Sequence, residues 1–85
     1  MGNLAMSIQD IRRAFQIGLD DAATVTYATM EYMGAGKGHQ LVFKCNVKNK
    51  AVTVECDCPV GMKPENYART MGEKYAQEWG KEKSK

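Results

Sequence analysis

Residues 41–58 read LVFKCNVKNKAVTVECDC, two runs of alternating apolar and polar side chains around a short Lys/Asn break. Alternation of this kind marks strands with one buried and one wet face, because successive side chains of an extended chain point to opposite sides. A two-residue turn at Asn49-Lys50 would set Val47 opposite Val52, Cys45 opposite Val54 and Phe43 opposite Cys56. Leu41, Phe43, Cys45, Val47, Val52, Val54, Cys56 and Cys58 then share one face. Lys44, Lys48, Thr53, Glu55 and Asp57 fall on the other. The apolar face needs a covering layer, which the flanking sequence must supply.

Upstream, TVTYATMEYM (residues 24–33) has the β-branched and aromatic content of another strand, closed by Gly34, Gly36 and Gly38. Before it, Ser7 and Asp10 have capping-box spacing, and Ile8, Ile11, Phe15 and Leu19 recur at helical period. A first helix is expected over roughly residues 7–18, ended by Gly18 and the Asp20-Asp21 pair. Downstream, Pro59 and Gly61 end the third strand, and Pro64 suits the first turn of a helix. Tyr67 or Ala68, Met71, Tyr75 and Trp79 form that helix's apolar stripe, with Gly72 a weak point inside it. These four large side chains are expected in the core. The order is helix, strand, strand, strand, helix, an α+β fold with two helices packed on one face of a three-stranded antiparallel sheet.

Eighty-five residues of 44% hydrophobic content suffice for one small domain, expected over residues 7–80. Residues 1–6 are expected to be a flexible lead-in or cloning remnant, and KEKSK (81–85) a charged flexible tail. Without a long apolar run or a signal-peptide pattern, the chain is expected to be intracellular and cytoplasmic, with no membrane association. Twelve Lys and Arg against ten Asp and Glu give a net charge of +2, below the strongly basic balance common among nucleic-acid binders. Electrostatic recognition must therefore come from the placement of charges. Cys45, Cys56 and Cys58 are an odd set without export features, so reduced thiols are expected.

Gly36-Lys37-Gly38-His39, with Phe43 after it, resembles the Gly-Pro-x-His loop and following aromatic of the double-stranded RNA-binding domain (dsRBD) family. IQDIRRAF is similar to the family's Ile-Gln-x-Leu opening, and the hairpin length places Lys63 where its Lys-Lys-x-Ala-Lys cluster begins. The likeness spans residues 7–79. Of the basic cluster only Lys63 is present, flanked by Met62, Pro64 and Asn66; Arg13 replaces an acid common in the first helix.

The resemblance implies non-enzymatic binding of double-stranded RNA by shape and backbone contacts, through donors at three separated points. On the first helix Gln9, Arg12, Arg13 and Gln16 lie opposite the apolar stripe and could meet one minor groove. Lys37 and His39 of the loop could enter the next. Lys63, Asn66, Arg69 and Thr70 could contact phosphates between them. With few cations, the expected affinity is modest, about micromolar, and falls steeply with salt. A protein partner or homodimer is the first alternative, since degenerate family members serve such contacts.

Gly38-His39, Val52-Thr53-Val54 and Lys63-Pro64 are also similar to HicA-type toxin nucleases, which share the element order and cleave mRNA with a Gly-Ser-His or Gly-Thr-His. Here the hydroxyl residue is missing and there is no second His, so His39 is expected to donate to a ribose or cap the loop. Cys45, Cys56, Cys58 and His39 are the conceivable zinc set. Cys-x-Cys on one extended strand spaces its sulfurs too widely for a compact tetrahedron, and no metal or cofactor is expected.

Overall fold

The computed structural model describes residues 8–83, with side chains through Gly80; the Ser7 cap and the 1–6 lead-in lie outside the described residues. In chain order the elements are α1 (Ile8–Leu19), β1 (Thr24–Tyr32), β2 (His39–Val47), β3 (Lys50–Cys58) and α2 (Pro64–Lys83). The strands form one antiparallel sheet in the order β1-β2-β3. This is the expected α+β arrangement. The second helix runs further than expected, taking in three residues assigned to the tail.

The hairpin faces are as the alternation indicates, but the register differs by two residues. Cys45 pairs with Val52, Phe43 with Val54 and Leu41 with Cys56, while Val47 meets Lys50. The turn is therefore Lys48-Asn49, with φ of 54° and 70°. Positive φ at both central residues is the geometry of a type I′ turn, whose twist matches that of the flanking strands. Because a shift of two leaves side-chain parity unchanged, Leu41, Phe43, Cys45, Val47, Val54, Cys56 and Cys58 are still buried together.

Both helices cover that face. Ile11, Ala14, Phe15 and Leu19 of α1 and Ala68 of α2 enter the core, with Tyr67, Met71, Tyr75 and Trp79 packed partly buried against it. At its centre the Phe15 and Phe43 rings stack 3.9 Å apart and 3° from parallel, joining the first helix to the middle strand. Burial of each ring contributes about 2–3 kcal/mol.

Gly18 and Gly72 have roles that local propensity does not express. Rather than ending α1, Gly18 lies buried inside it, and the chain turns at Asp20, whose φ is 56°. A Cβ on Gly18 would collide with the Arg69 carbonyl, and one on Gly72 with the Phe15 carbonyl while standing 3.1 Å from the Gly18 Cα. Two helix backbones thus touch where neither carries a side chain. Gly72 costs intrinsic helix stability in exchange for that close approach.

Candidate nucleic-acid interface

Each of the two connections at one end of the sheet contains a tight turn built on glycine. Between β1 and β2, Lys37 N–H donates to the Gly34 carbonyl at 3.0 Å and Met33 N–H to the Gly38 carbonyl at 2.9 Å, with Gly36 at φ 80°. Between β3 and α2, Met62 N–H donates to the Pro59 carbonyl at 3.2 Å, with Gly61 at φ 92°. Positive φ at the third residue of such a turn suits glycine. Gly38 locks the two connections together: a Cβ there would meet the Cys58 carbonyl and lie 3.3 Å from Val60 N. The Cys58 thiol reaches the Met62 carbonyl at 3.3 Å, holding the second turn over the end of β3.

The start of α2 follows directly. Tyr67 N–H donates to the Lys63 carbonyl at 3.0 Å, so Lys63 is the residue at the helix entrance and Pro64 takes the first helical position. Arg13 of α1 lines a groove with Glu65, Asn66 and Arg69 of α2, so three candidate donors from two helices are adjacent, with one carboxylate among them. Lys37 belongs to the glycine loop, and His39 begins β2 half-buried with its ring 5.2 Å from that of Tyr32. The topology therefore collects Arg13, Lys37, His39, Lys63, Asn66 and Arg69 toward the end of the sheet where α2 begins.

The remaining α1 candidates are placed differently. Arg12 donates to the Gln9 side chain at 3.1 Å, and both border a groove against Tyr27 of β1 rather than against α2. Gln16 is committed internally: its amide nitrogen donates to the Ala23 carbonyl at 3.0 Å and to the Asp20 carbonyl at 3.2 Å, while its oxygen accepts from Val25 N–H at 2.9 Å. Those bonds close the connection between α1 and β1, which removes Gln16 from the set of free donors. On a helical wheel it lies on the polar face, and only the path of the following strand turns it inward.

The charge balance is mixed. Arg13 pairs with Asp10 at 3.8 Å and Arg69 with Glu73 at 3.7 Å, all well exposed, so each pair contributes little to stability. Lys37 and Lys63 are exposed and enter no ion pair among the described residues. Glu65 in the first turn of α2 offsets part of the positive potential there.

The three thiols are free and buried. Burial pushes Cys45 and Cys56 up to about 11, and Cys58 upward as well, so they stay protonated and weakly nucleophilic at neutral pH. Among the described residues no three His, Cys, Asp or Glu side chains are grouped to hold a metal ion, and no helix is long and apolar enough to cross a membrane.

An apolar set at the same end went unnoticed in the sequence. Tyr32, Met33, Val60 and Met62 are four of the seven large apolar side chains exposed among the described residues. The available signal was Pro59-Val60-Gly61-Met62, a turn that leaves Val60 and Met62 no strand or helix to pack beneath. The chain matches no protein-family model, no curated protein and no solved structure.

Proposed function

We propose that this domain binds double-stranded RNA by its shape, without catalysis, through the end of the sheet where α2 begins. The observation that carries this reading is the convergence just described: Lys37 on one connection, Lys63 on the other, and Arg13, Asn66 and Arg69 along the groove between the helices. A shape reader of an A-form duplex requires donors on separated, rigidly held elements, and Gly38 against β3 and Gly18 against Gly72 supply that rigidity. Arg12 and Gln9 extend the donors along α1, where a second groove of the duplex would pass.

The test is a titration of a duplex of about 20 base pairs against single-stranded RNA and duplex DNA, at about 50 and about 200 mM salt. Preference for duplex RNA, weakened at least tenfold by Lys37→Glu and Lys63→Glu and steeply salt-dependent, is expected. Equal binding of all three nucleic acids, or indifference to both substitutions, would refute it.

A protein partner is the second reading, favoured by the exposed Tyr32, Met33, Val60 and Met62. Duplex binding that fails while these side chains mediate self-association in sedimentation would decide for it.

A further inference from the structure

The sheet's helix-covered face does not end where its cover ends. Tyr32 is paired with His39, and His39 with Cys58, so all three lie on the face that holds Leu41 and Phe43. Cys58 is sealed at 1% exposure, whereas Tyr32 is 63% exposed. The Pro59–Met62 turn approaches this stretch, and between it and the glycine loop lies a cleft bordered by Tyr32, His39, Pro59, Val60 and Met62. Val60 is 61% exposed and Met62 41%.

Apart from the His39 imidazole, the cleft is walled by an aromatic ring and apolar side chains, which offer phosphate little. What they suit is a flat apolar face. A duplex keeps its base faces stacked inside, so a regular helix offers this cleft nothing. An unpaired base, at a bulge or an overhang, does offer such a face, and it arrives joined to phosphates on either side. The cleft has matching charge at its flanks, since Lys37 follows directly on Gly36 of one turn and Lys63 on Met62 of the other.

Building on the duplex reading, we infer that the cleft between the Gly34–Gly38 loop and the Pro59–Met62 turn receives one unpaired RNA base against Tyr32, so that the domain prefers duplexes with a bulge or an overhang. Tyr32 supplies the π-face, Met62 and Val60 the opposing wall, and the two lysines hold the adjoining phosphates.

The experiment uses three duplexes of the same paired sequence: blunt, with a single-nucleotide bulge, and with a short overhang. Each is titrated by fluorescence anisotropy, and the unpaired nucleotide is then replaced by 2-aminopurine. About tenfold tighter binding of the bulged or overhung duplex, with altered 2-aminopurine emission, is expected. Tyr32→Ala should erase that preference and the emission change while leaving blunt-duplex affinity within about twofold; Tyr32→Phe should keep both. Equal affinity for all three duplexes overturns this inference and leaves duplex binding standing. No binding to any duplex overturns both. A preference that survives Tyr32→Ala places the base elsewhere and also overturns it. Circular dichroism of each variant checks its fold, and Tyr32 is exposed enough that neither replacement empties the core.

Discussion

The two ends of the sheet are built to different rules. At one, where α1 leads into β1 and β2 turns into β3, polar backbone groups are matched internally: Gln16 satisfies Ala23 and Val25, Thr26 donates its hydroxyl to the Lys44 carbonyl at 3.1 Å, and a two-residue turn joins the strands. At the other, two glycine turns leave Tyr32, Met33, Val60 and Met62 exposed and two lysines without ion pairs among the described residues. The first end serves stability. In the second, apolar surface and unpaired charge persist side by side, an arrangement that weakens a lone domain and suits a ligand.

Substitutions should divide along the same line. Phe43→Ala, beneath the stacked Phe15, should cost about 3–5 kcal/mol in urea unfolding followed by Trp79 fluorescence, a large part of the stability of so small a domain. A loss below about 1 kcal/mol would mean that the ring stack does not organise the core.

Alkaline pH should act next most strongly, again on the sealed side. Cys45 and Cys56 ionise at about 11 in the fold against an ordinary 9.0, chiefly because they are buried. The folded state keeps its protons after the unfolded chain has released them, so stability is intact below about pH 9 and falls as pH rises toward 11. Tyr67 and Tyr75, also raised by burial, act in the same direction. A loss on the order of 3 kcal/mol between about pH 8 and about pH 10.5 is expected, with a flatter profile in Cys45→Val. A profile unchanged by that replacement would rule the thiol out.

Gln16→Leu leaves Val25 N–H and the Ala23 carbonyl without their partner and should cost about 1–3 kcal/mol while sparing nucleic-acid affinity. If it instead weakened binding and left stability alone, the amide would face the ligand. Smallest of all, Tyr32→Ala at the open end should change stability by no more than about 0.5 kcal/mol. A greater loss would show that the bare stretch is part of the core.

The same division governs what the sequence disclosed. Element order and the buried side of the hairpin were legible because alternation and helical period follow directly from which side chains meet water. The hairpin register was not, since Lys48-Asn49 and Asn49-Lys50 give equal parity and only the backbone distinguishes them. Gly18 and Gly72 looked like local defects because their partner is each other, a relation absent from either helix alone. Gln16 looked like a surface donor for the same reason: its acceptors lie across a chain reversal. Of the proposed site, Lys37, His39 and Lys63 were singled out by the resemblance of their loop and helix entrance to the dsRBD pattern. The apolar side chains beside them were not, because exposure on a covered face depends on where the cover stops.

The most direct test of the open end as the binding surface is nitrogen-15 NMR of the labelled domain titrated with duplex RNA of about 20 base pairs. Amide shifts should concentrate at Gln9–Arg13, Met33–His39 and Val60–Arg69 and leave Asn46–Asn49 unmoved. Shifts centred on the β2–β3 turn or on Lys44, Thr53 and Glu55 of the open sheet face would contradict the account, as would a spectrum that does not change.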